Sequence, residues 1–131
     1  MHRNPKRTMI RTTLAAATAT LSLATAAVAL ARLGARVRYL GVLTDDTAGR
    51  RQRAELEEAG VDVSASPVPP GHASPRAVIL VDRGSGARTI FWSRGEVPRL
   101  PAPRRCADLL DGVDLLYIDG HEPEASLALA A

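Results

Sequence analysis

The sequence predicts an α/β fold in which helices cover a parallel sheet and a small antiparallel hairpin is inserted. Helix-like and strand-like segments alternate over residues 24–63, the order typical of parallel strands. A proline-rich loop then interrupts the order, and two β-rich runs follow around a turn-rich connector. The alternation resumes over residues 104–131.

The first helix is predicted over residues 24–33. Val28, Leu30 and Leu33 stand among alanines, a pattern that suits a helix packed closely on a sheet. Gly34 stands where a helix end favours a left-handed residue. A buried strand is predicted next, over residues 36–43.

Two adjacent carboxylates precede the second predicted helix. Asp45 and Asp46 can cap a helix that extends to about Ala59, with Gly60 as its stop. Paired carboxylates can also serve acid/base chemistry or bind a metal ion, but a position directly before a helix favours capping. A short strand over residues 61–63 follows.

The middle of the chain predicts a hairpin. Residues 64–75 are rich in proline and form a loop. The runs 77–81 and 89–92 are the two hairpin strands, joined by Asp-Arg-Gly-Ser-Gly. A hairpin inserted in a parallel pattern is typical of a flap or lid.

The last part returns to the α/β pattern. A short helix is predicted over residues 104–110 and a buried strand over residues 114–118. A final helix begins at Glu122, with Pro123 in its first turn. Because the sequence stops inside this helix, we expect the sheet to have lost its continuation.

Residues 1–22 are predicted to be a basic, alanine-rich leader outside the domain. Several cations precede the uncharged stretch 14–31, as in a secretory signal. This stretch is poor in the large apolar residues that favour membrane insertion, so no membrane span is expected. Cleavage here would remove the first predicted helix. We therefore expect a cytoplasmic protein, with export after cleavage as the alternative.

Composition excludes several classes of protein. The chain has 131 residues and a formal net charge of +3, with room for one ordinary domain. Lys6 is the only lysine, the arginines are scattered and aromatic residues make up 3% of the chain, which argues against a nucleic-acid partner. The single Cys106 cannot form an internal disulfide, and no Cys/His spacing offers a closed zinc site.

Several short segments, taken in order, carry a resemblance to a known family. They are Thr25 to Ala35, Tyr39-Leu40-Gly41, Asp45-Asp46, Gly60-Val61-Asp62, residues 74–81, residues 88–90 and residues 119–124. Together they resemble the N-terminal portion of the ribokinase-like carbohydrate kinases, the PfkB family. The matching region is residues 23–131.

The resemblance implies a fold and a reaction. The fold is part of a three-layer sandwich, a parallel sheet between helices, with a lid hairpin over about residues 76–93. The reaction is transfer of a phosphoryl group from ATP, with Mg²⁺, to a hydroxyl of a sugar or nucleoside. ATP is implied to bind the C-terminal half of the fold, and we expect that half to be absent here.

The resemblance also implies site residues. The residues implied to contact the substrate are Ala24, Thr25 and Asp119. The residues implied for the lid, as a ligand face or a dimer face, are Val78, Leu80, Ile90 and Trp92. No Gly-Ala-Gly-Asp segment, which carries the family's catalytic aspartate and anion hole, occurs in the chain. No catalytic residue and no metal ligand is therefore assigned.

The start of the chain departs from the family pattern. Thr20 and Leu21 stand where members carry a glycine pair, and residues 1–20 do not resemble the expected first strand. Truncation or a frameshift upstream of about Leu23 would explain both departures.

Two functions follow from these observations. The first is an ATP-dependent sugar kinase of which this chain is a fragment, inactive alone because the groups that stabilise the transferred phosphoryl are missing. The alternative is a noncatalytic binding or dimerisation module that uses the exposed edges of the hairpin.

Overall fold

The computed structural model describes the backbone of residues 13–17 and 21–131, with side chains from residue 23 onward. Its elements, in chain order, are β1 (Thr13–Ala17), α1 (Leu21–Arg32), β2 (Arg36–Leu40), α2 (Thr47–Glu58), β3 (Val61–Asp62), β4 (Arg76–Val81), β5 (Arg88–Ser93), α3 (Cys106–Leu110), β6 (Leu115–Ile118) and α4 (Pro123–Ala130). Two sheets result: a parallel one in the order β3-β2-β1-β6 and the antiparallel pair β4-β5. This confirms the predicted α/β class and the inserted hairpin.

Helices cover both faces of the parallel sheet. On one face α1 and α2 pack on the sheet through a buried cluster that includes Leu23, Tyr39 and Leu56. On the other face α3 and α4 pack through a cluster that includes Leu40 and Leu129. Because Tyr39 and Leu40 are neighbours on β2, their side chains enter opposite layers. The three-layer arrangement implied by the family resemblance is therefore present.

The central strand β1 comes from the segment that sequence analysis assigned to a leader. β1 pairs in parallel with β2 on one side and with β6 on the other. A run of threonine, leucine and three alanines has little intrinsic β preference. Its strand conformation thus depends on backbone pairing with two neighbours, which sequence periodicity does not show. β1 and the first two residues of α1 thus lie within residues 1–22, the segment predicted to be a leader.

The helix ends follow the predicted capping chemistry. Gly34 has a φ of 93° and its N–H donates to the Ala31 carbonyl at 2.9 Å. The N–H of Ala35 donates to the Leu30 carbonyl at 3.0 Å, which completes the hydrogen-bond pattern of a left-handed helix end. The Asp46 side chain caps α2 by accepting from the Gly49 N–H, so the capping interpretation of Asp46 is confirmed.

The strand β2 is shorter than the predicted 36–43. The residues that follow Leu40 remain buried without pairing to another strand. The N–H of Gly41 donates to the Ser66 hydroxyl at 3.3 Å, and the N–H of Leu43 donates to the Pro67 carbonyl at 3.0 Å. The loop after β3 satisfies these groups, and continuous burial alone cannot distinguish that from a strand.

The hairpin has two exposed faces, which corrects the expectation of a single lid face. Opposite residues in an antiparallel pair share a face, and the register pairs Val78 with Phe91 and Ile79 with Ile90. Val78 and Leu80 therefore lie on one face, and Ile90 and Trp92 on the other. Every residue of both strands is exposed.

Candidate functional site

The parallel sheet has a topological switch point at its carboxyl edge, where the connections of neighbouring strands lead to opposite faces of the sheet. From β1 the chain proceeds through α1, on one face, to β2. On the other side of β1 lies β6, which is followed by α4 on the opposite face. In open α/β sheets, ligands bind outside the carboxyl ends of the strands at such a point. Asp119 directly follows the carboxyl end of β6.

Asp119 is held in place by its own loop. Its side chain is 7% exposed and accepts a hydrogen bond from the His121 N–H at 3.0 Å. The His121 ring nitrogen Nδ1 lies 3.3 Å from the same carboxylate oxygen. Burial raises the pKa of Tyr39 above its usual range, and the charge of Asp119 raises this pKa further. The carboxylate of Asp119 thus lies close to a buried, neutral phenol.

The start of α1 carries the other two residues implied for substrate binding. Three residues, 18–20, separate β1 from α1, so α1 begins near the same sheet edge. Ala24 is half-buried and packs against the first core cluster, whereas Thr25 is exposed. Of the glycine-pair positions, Thr20 lies outside the described residues and Leu21 is the first residue of α1.

An open cavity of about 680 Å³ lies between the hairpin and α2. Its apolar wall is one hairpin face, formed by Ala77, Ile79, Ile90 and Trp92. Opposite this face lie Val42, Thr44, Ala48, Arg51, Gln52 and Glu55, and Ser74, Pro75 and Arg76 complete the lining. The cavity thus combines one apolar wall with polar groups, the usual composition of a small-molecule site.

Only some of the site residues that the family resemblance implies line this cavity. Ile90 and Trp92 line it, whereas Val78 and Leu80 point away on the other hairpin face. Asp119 lies instead at the switch point, and Ala24 and Thr25 lie near the start of α1; none of these three lines the cavity. The cavity lies beyond the carboxyl end of β2 and Asp119 beyond that of β6, so the two regions are at the same edge of the sheet but are formed by different residues.

A hydroxyl and carboxylate cluster lies where the hairpin joins the cavity. The Ser74 hydroxyl donates to Asp46 Oδ1 at 2.6 Å, and the Ser74 N–H donates to Asp46 Oδ2 at 2.9 Å. The Thr44 hydroxyl also contacts both groups, at 2.9 Å from Asp46 Oδ1 and 2.6 Å from Ser74 Oγ. These donors, the Ser74 hydroxyl first, lower the pKa of Asp46 well below its usual range.

A buried carboxylate, that of Glu122, lies beside the residue that follows the second hairpin strand. Glu122 is 1% exposed and forms an ion pair with Arg94, the residue that follows β5. Glu122 Oε2 also accepts from the Leu100 N–H at 3.1 Å. From the sequence, Glu122 was predicted only as the start of the last helix and as part of the family resemblance, and Arg94 was assigned no role. The proline at the first turn of α4 identifies Glu122 as a helix-start residue, but no local signal reveals its burial.

No metal or membrane site is found in the part of the chain with described side chains. No group of three or more His, Cys, Asp or Glu residues there could hold a metal ion. The described residues therefore do not fit the Mg²⁺ that the family implies, and no step is assigned to that ion. None of the described helices combines the length and apolar character needed to span a membrane.

The fold is similar to solved kinase structures. A candidate ribokinase from Agrobacterium tumefaciens has a TM-score of 0.69 and 23% identity, with 91% of this chain and 48% of that chain covered. A candidate Ribokinase II from E. coli has a TM-score of 0.75 and 16% identity in its apo form, with 92% and 49% covered. The same E. coli protein is also similar in its complex with ATP and Mg²⁺, with a TM-score of 0.71, 15% identity and 92% and 50% covered.

A third relative extends the comparison to a fungus. Ribokinase from Cryptococcus neoformans in complex with ADP has a TM-score of 0.60 and 19% identity, with 82% of this chain and 40% of that chain covered. The chain thus spans about half the length of the first solved structures that it matches. These identities are low, so the likeness to solved structures establishes the fold.

Sequence comparison identifies the family. No curated protein sequence matches the chain at a significant level. The model of the pfkB family of carbohydrate kinases matches residues 23–131, which is most of the chain. This chain therefore belongs to the pfkB family of carbohydrate kinases.

Proposed function

We propose that the chain forms the substrate-binding part of an ATP-dependent kinase that phosphorylates a hydroxyl of a carbohydrate or nucleoside. The observation that supports this most directly is the cavity under the hairpin, in a chain of the pfkB family. The cavity lies beside the carboxyl edge of the sheet, where α/β proteins bind ligands. A sugar, with apolar C–H groups and several hydroxyls, suits a site with one apolar wall and polar partners.

The substrate would be bound from two sides. Ile79, Ile90 and Trp92 would cover its apolar face. We propose that Asp119, with Ala24 and Thr25 at the start of α1, contacts the substrate from the switch point. An ionised carboxylate accepts hydrogen bonds, and the hydroxyls of a sugar can donate them.

Substrate binding can be tested with the protein's own tryptophan. Trp92 is the only tryptophan in the chain, and it lines the cavity. We expect a panel of pentoses, hexoses and nucleosides to contain a ligand that changes Trp92 emission in a saturable manner. If no member of the panel changes the emission, the proposal of a sugar site under the hairpin is wrong.

A matched pair of variants locates the binding. Ile79 and Val78 are adjacent, apolar and similarly exposed, at 55% and 58%, but lie on opposite hairpin faces. Ile79→Ser should weaken binding about tenfold, because a cavity wall of roughly one buried aliphatic side chain is lost. Val78→Ser should leave the affinity unchanged. Equal effects of both substitutions would place the ligand elsewhere.

We propose further that the chain alone does not transfer phosphoryl groups. Catalysis of this transfer depends on positioning and on electrostatic stabilisation of the γ-phosphoryl, and the sequence contains no Gly-Ala-Gly-Asp segment. The solved relatives include complexes with ATP and Mg²⁺ and with ADP, which supports ATP as the phosphoryl donor of the whole kinase. Because the reaction consumes ATP, we propose that it takes place in the cytoplasm.

The proposed inactivity of the chain can be tested by an ATP-consumption assay. Consumption of ATP by the purified chain in the presence of the sugar panel, above a control without protein, would contradict the proposed inactivity.

The alternative function is a dimerisation module. Val78, Leu80 and Phe91 form the hairpin face that points away from the cavity, and each is more than half exposed. An exposed apolar sheet face of this kind can pair with a second copy. Light scattering after size-exclusion chromatography should then show a dimer that Phe91→Ser converts to a monomer, whereas Ile90→Ser, on the opposite face, leaves it intact. A monomer at all concentrations would exclude this function.

A further inference from the structure

Two hydroxyls that line the cavity are bonded to one carboxylate. Thr44 and Ser74 line the cavity, whereas Asp46, to which both hydroxyls are bonded, is not among the lining residues. The oxygens Thr44 Oγ1, Ser74 Oγ and Asp46 Oδ1 form a triangle with sides of 2.6, 2.6 and 2.9 Å. Each side is short enough for a hydrogen bond. We call these three oxygens the hydroxyl triangle.

The protons available to the hydroxyl triangle can be counted. The Ser74 hydroxyl, the N–H groups of Ser74 and Gly49 and the Thr44 hydroxyl hold the pKa of Asp46 well below its usual range, so its carboxylate is ionised at neutral pH. The triangle therefore contains two protons, one on each hydroxyl, for three short contacts. Because oxygens this close repel each other when no proton lies between them, both protons remain inside the triangle.

The hydroxyl triangle thus offers a ligand acceptor positions only. A hydroxyl oxygen has two lone pairs, and donation of its proton to a charged group makes it a stronger acceptor. Ser74 is half-buried and Thr44 is 4% exposed, so Ser74 is the more accessible of the two. A ligand oxygen without a proton, such as that of an ether, a ketone or a phosphate ester, finds no donor on the Ser74 hydroxyl.

We propose that Ser74 determines the specificity of the cavity by accepting a hydrogen bond, so that a ligand must present a free hydroxyl or another donor to it. Asp46 is a positioning residue, because its charge fixes the direction of the Ser74 proton without contact with the ligand. The inference rests on the proposed function for the use of the cavity as the substrate site. It narrows the substrate to compounds whose hydroxyl at Ser74 carries no phosphate or ether group.

Two small probes test the requirement for a donor. Ethylene glycol has two hydroxyls, and 1,2-dimethoxyethane, its dimethyl ether, has acceptors only. Each probe is titrated into the full chain labelled with ¹⁵N, and the chemical shift of the residue 74 amide is followed by NMR. We expect ethylene glycol to change this shift in a saturable manner. The absence of a saturable change would overturn the proposal.

Ser74→Ala separates hydrogen bonding from contact with the apolar wall of Ile79, Ile90 and Trp92. The substitution should weaken the binding of ethylene glycol about fivefold, the factor that corresponds to one ordinary hydrogen bond. The affinity for 1,2-dimethoxyethane, which cannot donate to Ser74, should not change. Ser74→Thr retains a hydroxyl and should restore the affinity for ethylene glycol. If Ser74→Ala weakens both probes equally, the hydroxyl also donates to ligands and the proposal is wrong.

Ser85 provides a matched control. Its hydroxyl donates to the Asp82 carboxylate at 2.7 Å, as that of Ser74 does to Asp46, but Ser85 lies in the hairpin turn and is not among the residues that line the cavity. The residue 85 amide should show no saturable change with either probe, and Ser85→Ala should leave the affinity at residue 74 unchanged. Equal responses at residues 74 and 85 would show that the cavity contributes nothing and would refute the inference.

The outcomes separate this inference from the proposed function. If no sugar of the panel binds, the proposed function is wrong, and the two probes still decide the requirement for a donor. Where a sugar binds, its hydroxyls can be replaced one at a time by fluorine, which cannot donate. At one position the replacement should weaken binding to the unsubstituted protein but not to Ser74→Ala. If the effect of fluorine depends on Ser74 at no position, the inference fails while the proposed function stands.

Discussion

The ion pair of Arg94 and Glu122 should contribute to the free energy of unfolding, because the pair is buried. We consider the substitution Glu122→Gln, which preserves shape and removes the charge. Breaking a fully buried ion pair costs about 3–5 kcal/mol, because the remaining charge is left without a partner. Here Arg94 is 19% exposed and can be partly hydrated, and glutamine still offers an oxygen to the Leu100 N–H. We therefore expect a loss of about 2 kcal/mol in the free energy of unfolding.

The measurement is thermal unfolding at pH 7, followed by far-UV circular dichroism. For a domain of this size, a loss of that magnitude lowers Tm by about 8 °C. Glu57→Gln is the matched control, because Glu57 also pairs with an arginine, Arg53, but at the surface, where the side chains are 43% and 51% exposed. An exposed pair of this kind contributes less than about 0.5 kcal/mol.

A double variant tests the physical reason. Each single substitution leaves a charge without its main partner, and in Arg94→Gln the carboxylate of Glu122 keeps only the exposed Arg99, 4.0 Å away. Arg94→Gln combined with Glu122→Gln removes both of these charges. The double variant should lose less stability than the sum of the two single variants. If Glu122→Gln and Glu57→Gln lower Tm equally, burial does not control the strength of these pairs and the reasoning fails.

Three further predictions concern the body of the protein. Gly49→Ala should lower the free energy of unfolding, measured with denaturant, by about 3 kcal/mol, because the added Cβ would overlap the hydroxyl and carbonyl oxygens of Thr44. In the control Gly84→Ala the nearest atom to the added Cβ is 3.5 Å away, so the free energy of unfolding should not change. Because the pKa of Asp46 is lowered in the folded protein, its carboxylate stabilises the fold above the unfolded pKa of about 3.9, and this stabilisation is lost as the pH falls below that value. Below pH 4, the Tm of Asp46→Asn should therefore decrease less steeply with falling pH than the Tm of the unsubstituted protein. Identical pH profiles of Tm would contradict this assignment. Leu56→Ala, at a position 1% exposed, should cost about 3 kcal/mol in the same denaturant assay, and a loss below 1 kcal/mol would show that α2 is not packed as described.

Local chemistry in the sequence was sufficient for most helix ends and for the hairpin. Gly34 ends α1 in the left-handed conformation, and Asp46 caps α2, as their residue types and positions predict. The hairpin was predicted from two β-rich runs around a glycine-rich connector. These features depend on neighbours within a few residues, so the sequence contains the information needed.

The candidate site was predictable only in part. The family resemblance pointed to the hairpin and to Asp119, which lies at the switch point of the sheet. It did not show which hairpin residues share a face, because that depends on the pairing register of β4 with β5. A shift of one residue in that register would exchange the faces. Ile79 was therefore not singled out, although it lines the cavity.

By itself, the sequence determined the α/β class, the order of most elements and the family, because periodicity, capping residues and ordered short motifs are local properties. Only the tertiary structure decided that Thr13–Ala17 is the central strand, since its weak β preference is overcome by pairing on both sides. The tertiary structure also decided that Glu122 is a buried ion-pair partner of Arg94, 28 residues away in sequence. Contacts of this kind bring together segments whose positions depend on the whole fold, so local pattern cannot reveal them.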